Sequence, residues 1–310
     1  MILVGDVGGT RTRLAFATRE NGRWQLSKLR ERPTAGDVAA EIARFLAEGS
    51  GERPQAAAFC GAGPGLADGS IRLTNTDVLL EPAALAAAAG VKQAILINDF
   101  AAIAEAIPYL PPETLVQCGG GKPVPSTPVV VLGPGTGLGV AIGTGGPGAW
   151  ITIAGDGGHA DLAPVDDEQL EIWQRLRKTH ARVSAETVLC GPGLERLYAA
   201  VADGKRLKVE EIDEAAWRGE PAAARTVAVF TRWLGSVAGN LALTAGARGG
   251  VYLAGGIIPR WGRNFDIATF RRAFEDKPPH AAWLRGFPSF VVTHPQPGLL
   301  GLAALAGSSL

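Results

Sequence analysis

Residues 2–10 have the sequence I-L-V-G-D-V-G-G-T, and residues 11–18 continue as R-T-R-L-A-F-A-T. The opening I-L-V predicts a buried strand, the stretch G-D-V-G-G-T predicts a tight loop, and residues 11–18 have the character of a second strand. Asn21-Gly22 is typical of a hairpin turn, which leads to a third strand around Trp24. The glycine loops of Rossmann and Walker motifs open a helix, whereas this loop joins two antiparallel strands. Both of those nucleotide-binding motifs are therefore excluded here.

Helix and strand patterns alternate through the rest of the first hundred residues. The predicted elements are a helix from Asp37 to Glu48, a strand over 55–60, a helix from Pro82 stopped by Gly90, and a strand over 93–97. The order β-β-β-α-β-α-β predicts an α/β fold.

The opening pattern recurs from Pro128 onward. An apolar strand (V-V-V-L) precedes the glycine loop 133–139, with the sequence G-P-G-T-G-L-G, and strands are predicted over 140–142 and 150–153. This recurrence predicts two similar α/β lobes, and the cleft between such lobes is the natural ligand site.

We predict two domains on these patterns. Residues 1–108 form a small α/β domain, residues 109–297 form a large α/β domain, and a C-terminal helix at about 298–310 packs back onto the small domain. Further patterned segments are the loops 64–75 and 118–128, a mostly helical region 167–247, and the strands 251–254 and 290–293.

Composition restricts the class of partner. The chain has 310 residues with 30 Lys and Arg against 30 Asp and Glu, so its net charge is zero. Binding to nucleic acid or to a membrane surface is therefore not expected, and a small-molecule partner is favoured. The three cysteines lie far apart without a C-x-x-C pair, which predicts neither a disulfide framework nor a zinc site and suits a reducing cytoplasm. Asp6 interrupts the apolar N-terminus at once, so we expect no signal peptide.

The two glycine loops are candidate phosphate-binding sites. Glycine lets backbone N–H groups approach an anion closely, and Thr10 and Thr136 add hydroxyl donors. Asp6 could hold Mg²⁺, directly or through its waters. Each loop taken alone could equally be a simple hairpin turn.

Asn98-Asp99 follows the predicted strand 93–97 at its carboxyl end, where α/β sheets place ligand contacts. A carboxylate there can accept a hydroxyl proton, and the neighbouring amide can bind sugar hydroxyls. The alternative is that the pair caps the helix predicted over 100–107.

Three further segments carry candidate binding groups. Gly155-Asp156-Gly157-Gly158-His159 places an acid and an imidazole in a glycine-rich turn that suits sugar recognition, although a solvated surface turn is the alternative. Glu186 could reach the same pocket or face solvent. Gly255-Gly256 could let an adenine ring lie against backbone or could form a simple strand-to-helix turn.

Together these motifs resemble the bacterial glucokinase family of the actin and hexokinase ATPase superfamily. The similarity runs through the following ordered segments: L-V-G-D-V-G-G-T at 3–10, I-N-D-F-A-A-I-A-E-A-I-P at 97–108, G-P-G-T-G-L-G-V-A at 133–141, G-D-G-G-H-A-D-L-A-P at 155–164, V-S-A-E-T-V-L-C-G-P-G at 183–193, G-N-L-A-L at 239–243, G-G-V-Y-L-A-G-G-I-I-P-R at 249–260 and P-G-L-L-G at 297–301. The zinc motif C-x-C-G-x-x-G-C of the related repressor and kinase family is absent from the sequence, so the zinc-free branch matches better.

The resemblance implies a two-domain fold of the hexokinase and actin-like ATPase type, closing on glucose, with ATP and Mg²⁺ as phosphoryl donor and commonly a homodimer. It implies that Asp99 is the base and that glucose is bound by Asn98, Asp99, Asp156, His159 and Glu186. It implies that the nucleotide is bound by Asp6, Gly8, Gly9, Thr10, Gly135, Thr136, Gly137, Gly255 and Gly256, with Asp6 as the metal residue.

Three positions depart from the family's pattern, which usually has Glu at Asp156, Asn at Arg11 and Ala at Pro134. Asp156 matters most because the family's residue there contacts the sugar, and the surrounding glycines are expected to let the turn move inward. The expected activity is transfer of a phosphoryl group from ATP to the 6-hydroxyl of glucose. The alternatives are a kinase for another hexose or an anhydrosugar, and a weakly catalytic sugar sensor.

Overall fold

The structure is a computed structural model that describes residues 1–34, 36–49, 53–74, 76–146 and 149–308. The chain divides into a first unit of Met1–Thr114, Gly146–Ala154 and His294–Leu310, and a second unit of Leu115–Gly145 and Gly155–Thr293. The first boundary between the two units follows Thr114, whereas the sequence predicted a boundary after residue 108. The chain returns to the first unit at Gly146 and again at His294.

The strands are β1 Ile2–Val7, β2 Arg11–Glu20, β3 Arg23–Pro33, β4 Ala56–Gly61, β5 Ile71–Arg72, β6 Leu79–Leu80, β7 Ala94–Asn98, β8 Leu115–Gly119, β9 Val129–Pro134, β10 Leu138–Thr144, β11 Ile151–Gly155, β12 Gly250–Leu253 and β13 Ser289–Val292. The α-helices are α1 Val38–Glu48, α2 Pro82–Ala89, α3 Asp99–Ala106, α4 Asp167–Arg177, α5 Ala185–Val188, α6 Gly191–Val201, α7 Val209–Trp217, α8 Pro221–Ala245, α9 Ile257–Trp261, α10 Ile267–Glu275, α11 Ala281–Leu284 and α12 Pro297–Gly307. Short 3-10 turns lie at Ile107–Tyr109, Pro112–Thr114, Gly157–His159 and Gly262–Asn264.

The sheet of the first unit has the strand order β3-β2-β1-β4-β7. Strands β1, β2 and β3 are antiparallel neighbours, whereas β4 runs parallel to both β1 and β7. The predicted hairpin at Asn21-Gly22 is confirmed, because both residues have positive φ (50° and 79°) as that turn requires. Strand β7, predicted over 93–97, is the edge of this order and is half-buried along its length.

In the second unit, strands β10, β9, β12 and β13 are adjacent in that order and repeat the plan of β2, β1, β4 and β7, with β8 added beside β13. Strands β10 and β9 form an antiparallel hairpin, β9, β12 and β13 run parallel, and β8 is antiparallel to β13. The predicted α/β fold with two similar lobes is confirmed by this shared plan.

Both glycine loops are shorter than predicted. Strand β1 continues through Gly5-Asp6-Val7, so the first loop is reduced to residues 8–10, and the second is reduced to residues 135–137. The first strand persists because its backbone pairs on both sides, with β2 and with β4. The region predicted as loop from residue 118 also begins inside a strand, because β8 reaches Gly119.

The helix ends follow the sequence signals. The Asp37 side chain accepts a hydrogen bond from Ala40 N at 2.9 Å and caps α1, while Gly90, with φ 69°, ends α2. None of the helices in the described ranges is long and apolar enough to cross a membrane.

The C-terminal helix α12 completes the core of the first unit. Its buried face (Leu299, Leu302, Ala303) packs with Ile2 and Val4 of β1 and shares that cluster with α3. The helix at the end of the chain therefore supports the sheet and helix that carry Asp6 and Asp99.

Candidate active site

Asp6 is placed by the register of the first sheet. It lies opposite Arg13 of β2 and opposite Cys60 of β4. The Arg13 guanidinium donates to Asp6 Oδ2 at 3.1 Å, and the Cys60 thiol lies 3.6 Å from Oδ1. Burial raises the pKa of the Asp6 carboxyl, and the charge of Arg13 opposes that shift.

The residues around Asp6 fit Mg²⁺ as a partly hydrated ion. Among the described residues, no group of three or more His, Cys, Asp or Glu side chains could enclose a metal. Mg²⁺ is usually held by one or two carboxylates together with waters and substrate phosphates, so a single carboxylate beside a glycine loop is an adequate donor set. The Asp6 side chain is 24% exposed, which leaves a carboxylate edge accessible.

Asn98 is held by the protein on both sides of its amide. Its Nδ2 donates to Gly63 O at 3.1 Å, and its Oδ1 accepts from Phe100 N at 2.9 Å and Ala101 N at 3.2 Å, which caps α3. The capping alternative for the Asn98-Asp99 pair is therefore realised by Asn98.

Asp99 is the first residue of α3 and follows β7 directly. Its Oδ1 accepts from Phe100 N at 2.9 Å. Burial, together with the charge of Asp6, raises the pKa of the Asp99 carboxyl from its ordinary value of 3.8 to about 7. A carboxyl with this pKa can exchange a proton near neutral pH, which is what a general base requires.

The first glycine loop turns tightly on its own backbone. Gly8 N donates to Arg11 O at 2.9 Å, and the Thr34 hydroxyl donates to Gly8 O at 2.6 Å. Gly9 and Thr10 are exposed. Their N–H groups and the Thr10 hydroxyl are candidate donors to an anion.

The second glycine loop is built against two other glycine segments of the second unit. Gly135 O accepts from Gly191 N at 2.8 Å, so the N-terminus of α6 adjoins the loop. Gly255 has a left-handed φ of 77°, and a Cβ there would meet Pro134 O at 2.5 Å, so the two backbones are in contact. The predicted nucleotide residues at 135–137 and 255–256 therefore lie side by side.

Two of the candidate sugar residues converge on that loop as well. The Glu186 carboxylate accepts Leu138 N through Oε2 at 2.8 Å, while its Oε1 lies 3.8 Å from His159 Nε2. Asp156 is exposed at the start of the same 3-10 turn as His159, and its side chain makes no capping hydrogen bond to that turn. The sequence predicted that the glycines would let this turn move inward. That movement is restricted at Gly158, which packs directly against the backbone of Leu138: a Cβ on Gly158 would lie 2.1 Å from Leu138 O.

Arg13 and Glu31 have a place in the site that the sequence analysis did not give them. Glu31 of β3 pairs with Arg13 at 2.7 Å and with Arg11 of β2, so a row of charges crosses the sheet to Asp6. The predicted loop began at residue 5 and so left Asp6 unpaired, whereas a turn confined to residues 8–10 sets Arg13 opposite Asp6.

Residues 3–309 match the sequence profile of the Glucokinase family. The chain belongs to the glucokinase family. Among its relatives, the glucokinase of Sinorhizobium medicae is 41% identical, with 98% of this chain and 91% of the relative covered. The glucokinase of Paramagnetospirillum magneticum is 39% identical, with 98% of this chain and 97% of the relative covered.

Solved structures place this glucokinase-family chain in the same fold. A glucokinase from an Antarctic psychrotroph is 33% identical and superposes with a TM-score of 0.89, with 99% of this chain and 98% of that chain covered. A glucokinase of the repressor and kinase family from Streptomyces griseus, solved with glucose and AMPPNP, is 20% identical, with a TM-score of 0.68 and coverage of 98% and 99%. The hexokinase and actin-like fold predicted from the sequence is confirmed.

Proposed function

We propose that the protein is an ATP-dependent glucokinase that transfers the γ-phosphoryl group of ATP to the 6-hydroxyl of glucose, with Asp99 as the general base. Family membership supports the reaction, and the Asp99 carboxyl, with its pKa of about 7, supports the assignment of the base. The glucose and AMPPNP of the Streptomyces griseus structure are consistent with this pair of substrates.

In the proposed reaction Asp99 accepts the proton of the 6-hydroxyl as O6 forms a bond to the γ-phosphorus and the bond to the β,γ-bridging oxygen breaks. ADP leaves with that oxygen, and Asp99 later releases its proton to solvent. In such transfers the protein mainly positions the reactants and stabilises charge. The hydrogen bond from Phe100 N to Asp99 Oδ1 fixes one carboxylate oxygen, which leaves the other to face the hydroxyl.

Phosphate binding is proposed for the two glycine loops, 8–10 and 135–137, with Gly255-Gly256 beside the adenosine. Asp6 would hold Mg²⁺, which supplies positive charge to the β- and γ-phosphate oxygens when bound. Arg13 would neutralise the Asp6 carboxylate in the free protein, as its 3.1 Å contact indicates.

Sugar binding is proposed for His159, Glu186 and Asp156, together with Asn98 and Asp99. His159 Nε2 and Glu186 Oε1 lie 3.8 Å apart, which is too long for a direct hydrogen bond but allows one hydroxyl to contact both. An assay of ADP release over a panel of glucose, mannose, glucosamine and an anhydrosugar, with ATP and Mg²⁺ supplied, tests the proposal. A preference for another sugar would assign a different hexose kinase, and sugar binding without ADP release would assign a sensor.

The pKa of Asp99 predicts an acid limb in the rate profile. The base acts only when ionised, and burial keeps it protonated until the pH approaches 7. We therefore expect kcat/KM for glucose to fall about tenfold per pH unit below about pH 6 and to level off above about pH 8. Initial rates in overlapping buffers at constant ionic strength measure this profile. A profile flat between about pH 5 and 8 would contradict the assignment.

Substitution of Asp156 tests the sugar contact at which this chain departs from its family. We expect Asp156→Ala to raise KM for glucose several-fold with a smaller change in kcat, because one hydrogen bond to a charged group is lost on binding. Asp156→Glu should crowd the turn, since Gly158 is packed against Leu138 and cannot retreat. Kinetics of both variants on glucose, mannose and glucosamine provide the measurement. Unchanged constants for every sugar in Asp156→Ala would remove Asp156 from the site.

We further propose a homodimer in the cytoplasm. The dimer rests on the family resemblance, and sedimentation velocity at several protein concentrations tests it. Cys60, Cys118 and Cys190 are free, buried thiols, which suits a reducing compartment.

A further inference from the structure

The Glu186 carboxylate lies between two segments of the second unit for which ligand binding is proposed, the glycine loop 135–137 and the turn that carries His159. One carboxylate oxygen, Oε2, accepts the backbone N–H of Leu138 at 2.8 Å, directly after the second glycine loop. The other, Oε1, faces His159 Nε2 at 3.8 Å. One carboxylate thus serves the proposed sugar site and the proposed phosphate loop.

The backbone around Glu186 is held by hydrogen bonds on both sides, which places its carboxylate near Leu138 and His159. Ser184 and Thr187 form a capping box on α5, with Ser184 N donating to Thr187 Oγ1 at 3.0 Å. Ala185 N donates to Ala160 O at 2.8 Å, which ties α5 to the segment that carries His159. On the other side, Cys190 Sγ donates to Glu186 O at 3.1 Å, just before Gly191 bonds to Gly135 O.

Gly137 provides the space that this contact needs. A Cβ on residue 137 would lie 2.6 Å from Glu186 Oε2, inside the contact distance of any side chain, so an alanine would displace the carboxylate from Leu138 N. The glycine is therefore required by Glu186 as well as by the approach of a phosphate.

We infer that Glu186 couples sugar binding to nucleotide binding, because its two oxygens join the sugar site to the second glycine loop. This inference rests on the proposed function. A sugar hydroxyl on Oε1 fixes the carboxylate, the fixed carboxylate holds Leu138 N, and the loop is then ordered before the phosphates arrive. Each ligand should raise the affinity of the protein for the other by the same factor, since coupling between two binding equilibria is reciprocal.

Calorimetric titration of the full chain in Mg²⁺ buffer measures the coupling. The factor is the Kd of glucose without nucleotide divided by its Kd with saturating AMPPNP, and we expect about five-fold or more for the parent. In Gly137→Ala, which keeps the Glu186 residue but displaces its carboxylate from Leu138 N, the factor should fall to about one. Glu186→Gln should bind glucose more weakly but keep most of the factor, because its amide oxygen can still accept Leu138 N. His159→Ala is the matched control, and it should weaken glucose binding while the factor is retained.

The outcomes separate the two claims. A parent that binds neither glucose nor AMPPNP contradicts the proposed function. A parent that binds both with a factor near one overturns the coupling alone, as does a Gly137→Ala protein, folded by circular dichroism, whose factor equals that of the parent. Should Gly137→Ala fail to fold, loss of the factor in His159→Ala but not in Glu186→Ala would overturn the coupling through Glu186.

Discussion

Asp99→Asn is expected to lower kcat by about 10²- to 10⁴-fold while glucose binding survives, because an amide keeps the shape of the carboxyl but cannot take the proton of the 6-hydroxyl. The amide oxygen can still accept Phe100 N, which the carboxylate does at 2.9 Å, so the start of α3 should be preserved. Steady-state kinetics with ATP and Mg²⁺ give kcat, and calorimetry gives the Kd of glucose. A folded Asp99→Asn protein with near-parental kcat would require another base.

The same substitution should stabilise the protein at alkaline pH. The folded-state pKa of Asp99 is about 7, above its ordinary value of 3.8, so the folded protein holds this proton more tightly than the unfolded chain does. Stability from this group is therefore present below about pH 4 and is lost as the pH rises through about 7. After allowance for solvent screening of a partly exposed group, Asp99→Asn should gain about 1–2 kcal/mol over the parent at about pH 8 and little at about pH 4.

Glu105→Gln is the matched control for Asp99→Asn. Glu105 lies on the same helix, α3, and burial likewise raises the pKa of its carboxyl. It lies outside the proposed machinery, so we expect Glu105→Gln to gain stability at alkaline pH without the loss of kcat. A loss of kcat in both variants would show that removing any buried charge from α3 impairs the enzyme. The comparison uses one preparation of each protein, with thermal unfolding at about pH 4 and about pH 8 for stability and steady-state kinetics for kcat.

The sequence was sufficient to predict elements whose signals are local. The hairpin at Asn21-Gly22, the start of α1 next to Asp37 and the end of α2 at Gly90 each depend on a residue's own conformational preference, and the structure confirms all three. The order of the motifs along the chain was sufficient to predict the fold, because it identifies a family whose strand arrangement is known. Secondary-structure propensity alone does not determine that arrangement.

Features that depend on pairing between distant segments were not predictable in this way. The first glycine loop was predicted from residue 5, but pairing of Gly5-Asp6-Val7 with β2 and β4 extends β1 through it. The row from Glu31 through Arg13 to Asp6 depends on the same pairing, and the half-buried state of β7 depends on its edge position. Composition and spacing do not encode these registers, because each is decided by which strands become neighbours.

The contact between Glu186 and Leu138 illustrates the same limit inside the site. The two residues are 48 positions apart in sequence. From the sequence, Glu186 could be either a pocket residue or a solvent-exposed one. In the structure its side chain is 30% exposed and accepts the N–H of Leu138 directly after the glycine loop, a contact that the sequence does not reveal. The proposed role of Glu186 in coupling depends on this contact together with the approach of its Oε1 to His159 Nε2.

Gly301→Ala is expected to cause the largest loss of stability among the substitutions considered. A Cβ on Gly301 of α12 would lie 1.8 Å from Ala102 O and 2.8 Å from Ala106 N of α3, and both of those atoms belong to backbone that cannot rotate away. The helices would have to separate, which opens the cluster that Leu299 and Leu302 form with β1. Overpacking of this kind costs about 1–3 kcal/mol and sometimes more, and we expect the upper end of that range because the overlap is with backbone.

Gly298→Ala in the same helix is the matched control for Gly301→Ala. A Cβ on Gly298 meets nothing within 4 Å, so the added methyl should be neutral or should stabilise α12 by up to about 1 kcal/mol through helix propensity. Thermal unfolding followed by circular dichroism should give a lower Tm for Gly301→Ala and an equal or higher Tm for Gly298→Ala. Because α3 begins at Asp99, displacement of α3 should also lower kcat in whatever fraction of Gly301→Ala remains folded, whereas Gly298→Ala should keep parental kinetics. Equal Tm values for the two variants would show that α12 does not approach α3 as closely as the 1.8 Å overlap requires.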